Sequence, residues 1–408
     1  MTKRGREIMK FMEKLLVGEK VEWKKLGKIK EIRILSPSKK IKKQEYLFSG
    51  KYPIIDQGQN FIVGYTNDET SIFPEDEYVI FGDHTESIKY VDFKFSQGAD
   101  GIKVMKTNDN YIKTKYLYHV ILNYYKKTGK YMRHFSLLKD TEIPIPSLKI
   151  QEKIVKILDN FTKYVTKLQA ELQSRNKQYN YYRDMLLSED YLNKISDKLD
   201  SLNNENYVLR LTTLGEIGKF TRGNGLQKKD FREKGKPVIH YGQIYTQYGF
   251  SIDKTISFAE ENIFSKLRKA KPNDILIATT SENIEDVAKS TVWLGNEEVG
   301  FSGDMYSYST NENSKYIAYY FQTAEFQKQK ERKVTGTKLI RIHGSDMEKI
   351  KVPLPSLAVQ EYIVSILDKF DALVNDLSQG LPKEIELRQK QYEYYREKLL
   401  NFEKYKNY

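Results

Sequence analysis

The amino-acid sequence predicts an α+β chain, with two domains of mixed α/β fold separated by two long helices. The helices pair as an antiparallel coiled coil, and the whole forms a pseudo-twofold circular repeat. Three observations predict this arrangement. The segment PIPSLKIQEKIVKILDNF, Pro144 to Phe161, returns as PLPSLAVQEYIVSILDKF, Pro353 to Phe370, identical at 12 of 18 positions. The segment RNKQYNYYRDMLL, Arg175 to Leu187, returns in the same order as RQKQYEYYREKLL, Arg388 to Leu400, identical at 9 of 13. Upstream of each paired block lies a stretch of about 120 to 150 residues, ordinary domain size, in which the two copies agree only weakly.

In chain order, residues 1–16 read as a short helix whose Glu13, Lys14, Leu15 and Leu16 echo Glu397, Lys398, Leu399 and Leu400. That echo is what closes the repeat into a circle. Residues 17–145 form the first variable domain and residues 205–352 the second. KKLGKI, Lys24 to Ile29, answers TTLGEI, Thr212 to Ile217, and PIIDQGQ, Pro53 to Gln59, answers PVIHYGQ, Pro237 to Gln243. Apolar, Gly and Pro positions agree while the side chains between them change, as expected of one fold presented to two different ligands.

Residues 146–190 and 353–408 are the helical spacers. In the first, Ile154, Ile157, Phe161, Tyr164 and Leu168 recur at the four-and-three spacing of a coiled-coil seam. The pattern then stutters to Leu172 and resumes at Tyr179, Tyr182 and Leu186. The second copy gives Val359, Ile363, Ile366, Phe370, Leu373 and Leu377, then Tyr392, Tyr395 and Leu399. Gly380, Leu381 and Pro382 interrupt that copy, so an unbroken second helix is in doubt there. A helix from about Ile150 to Leu187 is on the order of 55 Å long and needs a partner for its apolar face. The related helix of the same chain is the predicted partner. Gln151–Glu152 and Gln360–Glu361 fall at the helix starts, where they serve either the helix N-terminal charge or docking.

Composition closes several chemistries. With no cysteine there is no disulfide framework, thiolate zinc site or thiol nucleophile, and the five histidines lack metal-ligand spacing. No cofactor is indicated: there is no phosphate-cradling G-x-x-x-x-G-K-[ST], no G-x-G-x-x-G after a strand, and none of the ten prolines has a proline neighbour. Asp100 and Asp304 read as turn residues. No apolar run spans a bilayer and the basic start lacks a signal-peptide core, so a cytoplasmic address is expected. Lys and Arg total 68 against 55 Asp and Glu, a net charge of +13, which favours polyanions, although a Lys-rich composition alone also produces it.

The closing motif of each half, proline, apolar, proline, then Ser-Leu, Gln-Glu, Ile-Val and Ile-Leu-Asp, resembles the helical regions of Type I restriction-modification specificity subunits. So does the alternation of two divergent domains with two similar helices over the whole chain. The resemblance implies that the variable domains are target-recognition domains, each reading one half of a bipartite target in double-stranded DNA. It implies helices that set the spacing and dock two methyltransferase subunits, with restriction subunits joining through the complex and no catalysis in this chain. A specificity subunit of a related bipartite-site, Type IIB-like enzyme is the alternative; a coiled-coil adaptor and a self-sufficient nuclease are the other classes.

DNA contacts are expected from polar and cationic side chains on loops that differ between copies. In the first domain these are Lys39, Lys40, Lys42, Lys43, Gln57, Gln59, His84, Thr85, Arg133 and His134. In the second they are Arg222, Asn224, Gln227, Lys228 and Lys229, then His240, Tyr241 and Gln243, then Thr335, Thr337, Lys338, Arg341 and His343.

Overall fold

The computed structural model describes residues 21–37, 39–98, 101–203, 208–375 and 380–402. The predicted helix at 1–16, Asp100 and Leu377 lie outside these residues. The chain divides into two compact units, Met1–Lys167 with Glu386–Tyr408, and Leu168–Ile385.

In the first unit, a four-stranded antiparallel sheet runs in the order Ile32–Leu35, Ile102–Thr107, Tyr78–Gly82, Ile88–Val91. A second runs Gly64–Thr66, Tyr52–Ile55, Phe95–Gln97, Ile72–Phe73, with a parallel pair at its centre. Tyr78–Gly82 is buried at every position because its two faces serve two cores. Val79 and Phe81 join Met105 and the helix Thr114–Tyr124, while Tyr78 and Ile80 join Ile55, Phe73 and Phe95.

The second unit repeats this plan. Its first sheet runs Gly218–Arg222, Met305–Thr310, Ile275–Ala278, Ser290–Trp293, with Ser251–Ile252 added at the edge. Its second runs Ser257–Ala259, Lys236–Ile239, Val299–Phe301, Lys269–Ala270, again with a parallel pair inside. Ile275 and Ile277 face one core, Leu276 and Ala278 the other.

Each Pro-x-Pro segment enters its helix as a strand. Glu22–Lys25 pairs with Glu142–Ile145, and Arg210–Thr213 with Lys351–Leu354. Proline is tolerated because a two-stranded ribbon leaves one edge free. The helix Leu148–Leu186 is continuous over 39 residues. The second copy is two helices, Leu357–Val374 and Leu381–Leu400, the latter with Pro382 in its first turn, where a missing N–H costs nothing.

The helices of each unit come from both copies of the repeat. In the first unit Phe161 stacks on Tyr395 at 4.9 Å, and the Arg388 guanidinium lies 5.1 Å from the Tyr164 ring, so the chains run antiparallel. In the second, Tyr182 stacks on Phe370 at 5.6 Å, the same pair with the copies exchanged. The seam register differs from the expected one. Leu158, Val165, Leu367 and Val374 are buried, whereas Tyr164 and Leu373 are 47% and 40% exposed. The cause is a second burial demand: each helix covers the sheet and helix of its own unit as well as a partner helix, so its apolar stripe is wider than a two-helix seam.

The Ile-Leu-Asp motif acquires a structural role. Asp368 accepts from Lys315 Nζ and Tyr319 OH, both at 2.7 Å. Asp159 takes Lys115 Nζ at 3.0 Å, with His119 Nε2 at 3.8 Å where the second unit has a tyrosine. Burial pushes the His119 imidazole below its ordinary value of 6.5, against the pull of Asp159. On acidification the unfolded chain therefore takes up a proton that the folded one resists, and stability falls as pH drops below about 6.5. His119→Tyr, which copies position 319, is expected to flatten the melting-temperature dependence between about pH 7 and 5; an unchanged slope would remove His119 as its source.

Candidate nucleic-acid interface

In the second unit, the ends of several strands bring Arg222, Thr279, Thr280, Asp304, Tyr306, Arg341 and His343 around a cavity of ≈ 130 Å³. Asp304 sits in the turn between two sheet strands, as expected. The loop carrying Thr335 to Arg341 closes as a tight hairpin: Thr335 N donates to Arg341 O at 2.9 Å and Arg341 N to Thr335 O at 2.8 Å. Gly336 turns the chain at φ +98°, where a side chain would be strained. Arg341 is in turn paired with Thr280, and Ile342 N donates to Thr279 O at 3.1 Å. Thr335, Thr337, Lys338, Arg341 and His343 all end exposed on this frame.

Arg222, Asn224, Gln227, Lys228 and Lys229 are exposed on the neighbouring loop. Asn224 is tied by its amide to Lys266 O at 2.9 Å and Arg268 N at 2.6 Å, which fixes the loop. Tyr241 is half-buried. Two of the expected contacts are buried. Gln243 is buried because its amide is used internally, accepting from His240 N at 2.9 Å and donating to Ser257 Oγ at 2.7 Å. The His240 ring is also buried, and Nδ1 accepts from Gly242 N at 3.3 Å. Burial, and then the Lys228 charge, hold its pKa down.

In the first unit, Lys39, Lys40, Lys42, Lys43 and Gln59 are exposed, Lys39 in an ion pair with Asp68 at 2.7 Å. Gln57, His84 and Thr85 meet at one corner: Gln57 Oε1 accepts from His84 N at 3.1 Å, and Thr85 Oγ1 donates to Gln57 O. The loop bearing Gln57 and Gln59 is pinned from inside by Lys89, whose Nζ donates to Asp56 O at 2.9 Å and Asn60 O at 2.6 Å. Burial lowers the Lys89 pKa. Arg133 is exposed. His134 is a third buried candidate: it is fully buried, with Nδ1 on Asp83 O at 3.0 Å and Nε2 on Thr128 Oγ1 at 2.8 Å.

Residues that the sequence did not single out do much of the positioning. Glu86, 3% exposed and at φ +55°, accepts from Thr128 N at 2.8 Å, Gly129 N at 2.9 Å and Tyr125 OH at 2.7 Å. These donors together outweigh burial and keep its carboxyl below the usual range. The loop so held projects Tyr131, whose ring stacks on His84 at 5.5 Å. Aligning the two halves at their loop motifs would have drawn attention to Tyr131; a buried Glu or Lys carries no sequence signature.

Among the described residues no group of three or more His, Asp or Glu is placed to hold a metal ion. No described helix is long and apolar enough to cross a membrane.

Comparison with known proteins accords with this geometry. The chain is 35% identical to the specificity subunit of the type I restriction enzyme EcoR124I/EcoR124II of Escherichia coli, over 97% of this chain and 98% of that one. It is 30% identical to a Haemophilus influenzae sequence described as a type I restriction enzyme specificity subunit, over 96% and 98%. Its fold matches the crystal structure of a type I restriction-modification S subunit from M. genitalium with a TM-score of 0.50 at 18% identity, covering 95% of this chain and 98% of that one. The profile of the type I restriction modification DNA specificity domain matches twice, at residues 19–175 and 210–387, once for each half of the repeat. This chain belongs to the type I restriction-modification DNA specificity family.

Proposed function

We propose that the chain is the non-catalytic reader of a type I restriction-modification complex, with residues 17–145 and 205–352 each recognising one half of a split target in double-stranded DNA. One observation carries this reading: the two units share strand order and helix pairing, yet the loops at corresponding strand ends carry different side chains. In the first these include Gln57 and Thr85, and in the second Arg222, Asn224, Gln227 and Thr337.

Cations suit phosphates and amides suit base edges. Lys39, Lys40, Lys42, Lys43, Lys228, Lys229 and Lys338 are assigned to the phosphate backbone, with Arg222, Arg341 and His343 gripping it from around their shared cavity. Gln57, Gln59 and Gln227 are assigned to bases, and Asn224, whose amide is used on Lys266 and Arg268, to holding its loop against the DNA. The helical segments 146–190 and 353–408 set the distance between half-sites, because spacing in a bipartite target follows from protein geometry. They also carry the docking surfaces for two methyltransferase subunits, through which restriction subunits join.

Co-expression with the cognate methyltransferase, followed by mapping of methylated bases, is expected to give a split asymmetric motif. Exchanging residues 17–145 for the matching domain of a relative should then change one half of it and leave the other half and the gap intact. A change in both halves, or in neither, would refute the assignment.

A further inference from the structure

The two readers share a device that their divergent sequences conceal. Thr128-Gly129-Lys130-Tyr131-Met132-Arg133 in the first unit answers Thr335-Gly336-Thr337-Lys338-Leu339-Ile340-Arg341 in the second, one residue longer before the lysine. Both glycines sit in the left-handed region, at φ +68° and +98°, so both loops turn at the same point. Each loop then puts a large apolar residue at its tip, with a lysine before it and an arginine two residues after.

Those tips are open. Tyr131 is 89% exposed and Met132 43%, and Leu339 is 43% exposed. They are also held firmly, by unrelated means. Glu86 and His134 clamp the first loop through Thr128 and Gly129, and the Tyr131 ring rests on His84. In the second loop the bridge from Thr335 to Arg341 and the pairing of Arg341 with Thr280 do the same work. Two different supports that end in the same apolar, cation-flanked tip indicate that the tip itself is what is required.

We infer that Tyr131 and Leu339 enter the DNA groove and contact the bases directly, while Lys130 with Arg133 and Lys338 with Arg341 hold the flanking phosphates. An apolar side chain between two cations matches a duplex groove, where base surfaces and thymine methyls lie between two rows of phosphate. This rests on the DNA-reading function proposed above and adds to it the residues that discriminate sequence by apolar contact.

The test uses the full chain assembled with its methyltransferase subunits, titrated at one fixed salt concentration against a duplex bearing the mapped target and against a random-sequence duplex. Tyr131→Ala is expected to weaken target binding about tenfold or more while leaving the random duplex within about twofold. Tyr131→Phe should retain most of the preference. Leu339→Ala should act likewise, with relaxed methylation confined to the other half-site. Arg133→Ala should weaken both duplexes together. The inference is overturned if Tyr131→Ala and Leu339→Ala leave the target-to-random ratio unchanged, or weaken both duplexes equally. If the unsubstituted complex shows no target preference, the DNA-reading function falls instead.

Discussion

Replacing Gln360 with alanine is expected to destabilise the unit formed by Leu168–Ile385 by about 3 kcal/mol. Gln360 is fully buried at the start of its helix. Its Nε2 donates to Pro355 O at 2.9 Å and Glu312 Oε2 at 2.8 Å, and its Oε1 accepts from Asn313 N at 3.0 Å. The side chain thus ties the Pro-x-Pro entry to the start of the Ser314–Tyr320 helix. Alanine leaves a carbonyl, a carboxylate and an amide without partners, each at a cost of about 1–3 kcal/mol that partial hydration reduces. Gln151 makes the equivalent bonds in the first unit, to Pro146 O, Tyr111 O and Lys113 N, and its loss should be similar there. Glutamate discriminates the two sites. At 360 it would face the Glu312 carboxylate, at 151 only carbonyls, so Gln360→Glu should be the more damaging charge substitution. Hydrogen exchange of peptides covering 313–317 and 353–367, read beside denaturant unfolding, checks both. A loss under about 1 kcal/mol for Gln360→Ala would mean that water replaces the side chain and that the staple is not structural.

The same glutamines show what the sequence could and could not reveal. Repetition of Gln-Glu marked the position as required, but offered helix charge or docking as the reason, because the partners Tyr111, Lys113 and Asn313 lie some forty residues upstream. Helix existence was legible from the three-and-four spacing; helix register was not, since Leu158 is buried by a sheet and helix that periodicity does not include. Among candidate contacts, cations on divergent loops were found exposed, as loop composition suggests. The burial of His134 and Gln243 was not legible, because a polar side chain that satisfies itself internally reads like one that awaits a ligand. Glu86, Lys89 and Lys330 escaped for the opposite reason. In a chain that is 30% charged, nothing distinguishes the few charges that are buried.

Lys330 gives the second large effect, and it runs against the usual loss of stability in alkali. The side chain is fully buried, and Nζ donates to Glu285 O and Val287 O, each at 2.9 Å. It secures a loop whose Ala288 is held at φ +68°, a conformation that an alanine adopts only under constraint. A neutral amine retains two N–H groups, one for each carbonyl, so deprotonation keeps both bonds and removes a desolvated charge. Burial accordingly pushes the pKa down to about 8, with Glu331, Glu285 and Asp286 opposing it. Between about pH 8 and 10 the folded chain has released this proton while the unfolded chain still holds it. The contribution of Lys330 to the stability of the second unit should therefore rise across that window, by no more than about 2 kcal/mol, opposed near pH 10 by buried tyrosines such as Tyr308 and Tyr319, which resist the ionisation that the unfolded chain undergoes. Trp293, buried in this unit, reports the transition once Trp23 is replaced by phenylalanine, since the chain has two tryptophans. Lys330→Met keeps the length of the side chain and removes its titration. It should remove that contribution and, by leaving two buried carbonyls without donors, fall further below the Lys330 protein at pH 10 than at pH 7. The same slope in the Lys330 protein and in Lys330→Met would show that the amine remains charged and hydrated in the fold.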